Sequence, residues 1–148
     1  MENFSILENI YTAIMICRSH LIDIQCSGQM ELIPKIDDSY IIENGTGLLH
    51  IKGKFNHFII LKCRQLTVIL DEAPISGMDI LHSQDIRVTG MNQGYLNMEL
   101  SCGICIHNYG KYNFLCRIGH CMTVTIQEKI INVNPWIVHI DIIDSSDN

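Results

Sequence analysis

Five side-chain positions recur along this chain at intervals of 18 to 20 residues, and that spacing restricts the folds open to it. With a small residue as anchor, apolar residues stand at −5, −3, +3 and +5. Phe58, Ile60, Cys63, Leu66 and Val68 form one copy, and Met78, Ile80, Ser83, Ile86 and Val88 the next. Leu96, Met98, Ser101, Ile104 and Ile106 follow, then Cys116, Ile118, Cys121, Val124 and Ile126. An earlier copy reads as Ile14, Ile16, Ser19, Ile22 and Ile24. Repeats of this length mark stacked solenoid units.

The units are strands. Apolar and polar residues alternate, as in Ile86-Arg87-Val88 and Val124-Thr125-Ile126, and no stretch holds a 3.6-residue period over three turns. Each copy reads as two short strands bent at the anchor, where a small side chain leaves room for the backbone to turn. One coil cannot cover its own inward row. A stack of coils makes a continuous core, in which each buried Ile, Leu or Val contributes about 1.5–3 kcal/mol.

A single domain over residues 1–148 is expected: a coil over 1–35, repeat coils over 40–127 and a terminal strand over 131–143. Polar punctuation marks the corners, at Asn44-Gly45-Thr46-Gly47, Asp71-Glu72-Ala73-Pro74 and Asn108-Tyr109-Gly110-Lys111. The segment 34–39 joins the first coil to the rest. Trp136, Val138, Ile140 and Ile142 alternate in a strand that is apolar on both faces, so it is expected to cap the stack or pair with a second copy.

Net charge −6 and a pI near 5.5 oppose nucleic-acid binding, which needs a concentrated basic face. No apolar run reaches the ~20 residues of a membrane-spanning helix. Glu2 and Glu8 replace the basic start of a signal peptide, and a cytoplasmic location is expected. Seven cysteines, with Cys63, Cys116 and Cys121 at inward positions, read as reduced core residues. Cys102-Gly103-Ile104-Cys105, with His107, Cys116, His120 and Cys121, has the residue types of a zinc site. An offset of three along a strand separates the CxxC pair onto opposite faces, so no metal or other cofactor is expected.

Three stretches carry a family resemblance: Ile51-Lys52-Gly53-Lys54-Phe55-Asn56, then Cys63-Arg64-Gln65-Leu66-Thr67-Val68, and Ile80-Leu81-His82-Ser83-Gln84-Asp85-Ile86-Arg87-Val88 after the Asp71-Glu72 pair. Over residues 40–127 they resemble the C-terminal domain of cyclase-associated proteins. The resemblance implies an all-β, right-handed parallel β-helix that binds monomeric actin, prefers its ADP form and promotes nucleotide exchange, commonly as a dimer joined through C-terminal strands. The positions it matches to the actin-facing surface are Lys52, Lys54, Arg64, Asp85 and Arg87. Gln65 and Gln84 stand where the family carries basic residues, which reduces the charge of that face.

Other readings follow from the same residues. A homo-oligomeric β-helix scaffold without actin activity is the alternative. The related tubulin cofactor C repeats act as GTPase activators through an arginine in a Q-x-R motif, and Thr67 occupies that arginine's place; a hydroxyl lacks the planar charged fork the role needs. The acidic residues Asp71, Glu72, Asp79, Asp85 and Glu99 are scattered as solvated edge carboxylates, with Asp79 and Asp85 close enough in sequence to meet across rungs. No enzyme activity is expected.

Overall fold

The computed structural model describes residues 20–131 and 138–143. These form two seven-stranded sheets that alternate along the chain. Sheet A holds β1 (Ile22–Ile24), β3 (Ser39–Glu43), β5 (His57–Leu61), β7 (Met78–Leu81), β9 (Gln93–Glu99), β11 (Asn113–Gly119) and β14 (Val138–Ile143) in that order. Sheet B holds β2 (Ser27–Leu32), β4 (Thr46–Ile51), β6 (Arg64–Leu70), β8 (Gln84–Thr89), β10 (Cys102–His107), β12 (Met122–Ile126) and β13 (Lys129–Ile131). The chain therefore winds through six parallel coils, β1–β2 to β11–β12. β13 and β14 close the far end as antiparallel partners of β12 and β11.

Register follows the sequence period. Ile60, Ile80, Met98 and Ile118 are successive partners in sheet A, and Leu66, Ile86, Ile104 and Val124 in sheet B, all essentially fully buried. Each residue of the four copies from Phe58 to Ile126 lies in this interior. Phe55 meets Tyr40 and Phe58 edge-on, with ring centroids 5.7 and 6.2 Å away, and fills the second corner of the coil.

The first copy is one half-coil out of step with the expectation. Ile22 and Ile24 pair with Tyr40 and Ile42 in sheet A, so they occupy the −5 and −3 side rather than +3 and +5. Ile22 is 45% exposed, and the corner residue after them is Cys26. Met30 and Leu32 supply the sheet B half of this coil, because their strand pairs in register with Leu49 and Ile51. Ile14, Ile16 and Ser19 lie outside the described residues.

The anchors do more than leave space. The Ser83 and Ser101 hydroxyls accept from the backbone N–H of Cys63 and Ser83 (3.1 and 3.0 Å) and donate to the carbonyls of Leu81 and Glu99. The Gly45 N–H reaches the Cys63 sulfur in the same way, at 3.3 Å. Buried amides at the bend, out of reach of the sheet ladder, are thus satisfied by the next rung, which favours Ser or Cys over Ala. A left-handed residue precedes each anchor of the five later coils (Asn44, Lys62, His82, Leu100 and His120, φ 49 to 57°), turning the chain sharply between sheets. Gly77 (φ 94°) is needed at the opposite side, where a Cβ would run into the Tyr95 carbonyl.

A second apolar cluster was not foreseen. Ile41, Ile59, Leu61 and Leu81 alternate with the interior residues yet are at most 7% exposed, and Leu21 packs against them. The signal was present: Tyr40-Ile41-Ile42 and Phe58-Ile59-Ile60-Leu61 are continuous apolar runs, the pattern of strands covered on both faces.

Candidate binding face and corner groove

Two surfaces of the stack carry the residues singled out in the sequence. The outer face of sheet B comprises the side chains that alternate with its core. Leu48, Thr67, Arg87, Cys105 and Thr125 form one row across the strands, and His50, Ile69, Thr89 and His107 a second. Arg87 projects from the middle of this face. Arg64 and Asp85 lie at the strand starts, and Lys52 and Lys54 follow the end of β4 at the far edge. All five are exposed, so the structure distributes them around one sheet without gathering them at a point. The Lys52 ammonium lies 3.1 Å from Glu31, an exposed pair of the kind that contributes at most about 1 kcal/mol and exchanges readily for a partner's carboxylate. Thr67 has Arg87 as its direct strand partner.

The second surface is a groove of about 770 Å³ along the anchor corner. Gly45, Ser83 and Ser101 line it between two rows of side chains. One wall is the left-handed row Asn44, Lys62, His82, Leu100 and His120. Thr46, Arg64, Gln84, Cys102 and Met122 form the other. No acidic side chain appears among the described residues lining it.

The carboxylates have specific places. Asp79 and Asp85 do not approach as a pair, because β7 and β8 belong to different sheets. Asp79 accepts from Asn97 (3.0 Å) and faces the His57 Nε2 at 2.7 Å. Glu99 is not a solvated edge carboxylate: it is 2% exposed, 2.6 Å from His120 Nδ1 and 3.2 Å from an Arg117 guanidinium nitrogen. Arg117 also donates to Asn97 at 2.9 Å, so a polar chain from His57 to His120 crosses the outside of sheet A. Sequence spacing gave no hint of it, since its members come from four strands and a corner.

The surroundings of His57 favour its protonated form. Nε2 faces the Asp79 carboxylate, and Nδ1 lies 3.1 Å from the Ser76 carbonyl, so both ring nitrogens meet acceptors. Burial alone would lower its pKa, but the Asp79 hydrogen bond and charge, with the Ser76 carbonyl, together raise it. A raised folded-state pKa stabilises the fold fully below the unfolded value, about 6.5, and this contribution is lost as pH rises through the folded value. His57→Gln should therefore lower Tm more at pH 6 than at pH 8. Equal losses at both pH values in thermal melts would refute the cationic assignment.

The cysteine and histidine residues of the CxxC region do not converge. Cys116 and Cys121 point into the core, where burial pushes their thiols up to about 12 and about 11, while Cys105 and His107 face outward on sheet B. No group of three or more His, Cys, Asp or Glu able to hold a metal ion occurs among the described residues.

At the far end, Ile140 and Ile142 pack on the chain's own core. Val138 pairs through its backbone with Ile118, and Trp136 lies outside the described residues. No helix among the described residues is long and apolar enough to cross a membrane.

No curated protein sequence matches the chain closely enough to count as a relative. Residues 35–95 match the family described as adenylate cyclase associated (CAP) C terminal. That segment runs from the loop before β3 into β9 and contains all five matched charged positions, and the coils on either side continue its winding. The described residues thus form a parallel β-helix whose segment 35–95 is similar to the CAP C-terminal family.

Proposed function

We propose that this domain binds monomeric actin through the outer face of sheet B, favours the ADP-bound form and assists its nucleotide exchange. The observation that carries the reading is the family match over residues 35–95, which includes Lys52, Lys54, Arg64, Asp85 and Arg87. Their arrangement supports it: the strands β4, β6 and β8 set these exposed charges around one flat face, a geometry suited to docking on a protein surface and not to enclosing a small substrate.

The direct test is titration of fluorescently labelled ADP-actin with the intact chain. Saturable binding is expected, and Lys52→Ala with Lys54→Ala should weaken it about tenfold, equivalent to about 1.4 kcal/mol. Absence of binding at tens of micromolar would sink the proposal, and the scaffold reading would take its place. Release of labelled nucleotide in the same samples tests the exchange activity.

Self-association is proposed alongside it, because Ile130 and Ile143, on the last strands of the two sheets, are 76% and 60% exposed. Sedimentation of the intact chain as a monomer at those concentrations would remove this part.

A further inference from the structure

We infer that the anchor-corner groove is a docking site for an extended, acidic peptide segment of a partner protein, with its carboxylates over Arg64 and an apolar side chain over Met122. This goes beyond the actin reading and does not depend on it.

Charge gives the first argument. On a chain of net charge −6, the groove is lined by the side chains of Lys62 and Arg64 on one rung, and its described lining residues include no carboxylate. Arg64 is exposed and offers a planar fork suited to a carboxylate.

Geometry gives the second. Wall residues recur once per rung, about 4.8 Å apart, so the five rungs span roughly 19 Å, the length of about six residues of extended chain at about 3.3 Å each. Polarity changes along that length. Lys62 and Arg64 lie on the second rung, whereas Leu100 and the 69% exposed Met122 line the last two. Arg64 and Met122 are three rungs apart, so a ligand matching both carries acidic residues roughly four positions from an apolar one.

The hydrogen-bond pattern decides between a peptide carboxylate and a small free anion. Compact anions such as phosphate are usually cradled by unpaired backbone N–H groups. Here the amides along the groove are spent on rung-to-rung bonds: Thr46 to the Cys26 carbonyl, Arg64 to Gly45, Gln84 to Cys63, Cys102 to Ser83 and Met122 to Ser101, at 3.0 to 3.2 Å. Recognition falls to side chains, which suits carboxylates presented on a strand.

The test uses fluorescence anisotropy of the intact chain with a labelled EDESLM hexapeptide and its KRKSLM counterpart. EDESLM should bind at least about tenfold more tightly, and its affinity should fall as salt rises from about 50 to about 200 mM. Arg64→Glu should reverse the preference, and Met122→Ser should weaken EDESLM while leaving an EDESSS peptide unaffected. Both positions are exposed, and unchanged melting curves would verify that the variants fold. Equal binding of the two peptides, a preference unmoved by Arg64→Glu, or displacement of EDESLM by low millimolar inorganic phosphate would overturn the inference. The actin test relies on Lys52 and Lys54 at the opposite edge of sheet B, so the two readings fail separately.

Discussion

Ile86→Asp is expected to abolish the cooperative melting transition of this domain. Ile86 is 1% exposed and lies between Leu66 and Ile104 in sheet B, facing the side chains that sheet A sends across the coil. The substitution removes an apolar side chain, at about 2–5 kcal/mol for the lost contacts and residual cavity. It also buries a carboxylate that has no cation within the interior, adding several kcal/mol more. Together these approach the ~5–15 kcal/mol that holds a typical domain folded. In a solenoid the damage is not confined to one rung, because each coil is stabilised chiefly by its neighbours. Arg87→Ala, one residue along and facing outward, is the control and should change stability by no more than about 0.5 kcal/mol. Circular dichroism melts of both variants check the claim. An Ile86→Asp protein that melts within a few degrees of the parent would show that the interior has been misplaced.

Removal of the Glu99 carboxylate should be the most damaging polar substitution among the described residues. Its two oxygens sit against His120 and Arg117, whose side chains are only 12% and 19% exposed. Glu99→Ala leaves the Arg117 guanidinium and the His120 ring without their carboxylate across an emptied site, and breaking such a buried ion pair costs about 3–5 kcal/mol. At roughly 3 °C per kcal/mol for a domain of this size, Tm should fall about 10–15 °C. Glu99→Gln, which still accepts a hydrogen bond from Arg117, should lose less. Gly119 belongs to the same site, since a Cβ there would collide with the Glu99 carboxylate, and Gly119→Ala should destabilise for that reason. A Glu99→Ala protein that melts within about 1 kcal/mol of the parent would mean that solvent already screens the cluster.

These two residues also mark how far sequence reasoning reaches. Ile86 was legible because a rung repeats: its equivalents Leu66, Ile104 and Val124 appear at fixed offsets, and period-two alternation assigns each to the inside. Glu99 was not legible. It takes an outward position in an alternating strand, where a carboxylate is ordinarily solvated, and its partners are 18 and 21 residues away on other rungs. The first coil failed for a related reason. A pattern symmetrical about its anchor can be read half a coil early, and only the pairing of Ile22 with Tyr40 settles which half the strand belongs to.

The proposed binding face was partly legible. Lys52, Lys54, Arg64, Asp85 and Arg87 were selected by family-like motifs, and each is exposed. That they surround sheet B without converging depends on where β4, β6 and β8 begin and end. The corner groove had no motif at all, because its walls are assembled from single residues contributed by five coils.

From its residues alone this chain determined its period, its strands, its inward rows and the family to which its middle resembles. These properties repeat locally, and apolar side chains at fixed offsets have one economical way to leave water. The tertiary structure alone decided the phase of the first coil, the second apolar cluster on sheet A, the buried Glu99 ion cluster and the groove. Each of those depends on side chains some twenty residues apart being stacked about 4.8 Å from one another, a proximity that exists only once the coils are wound.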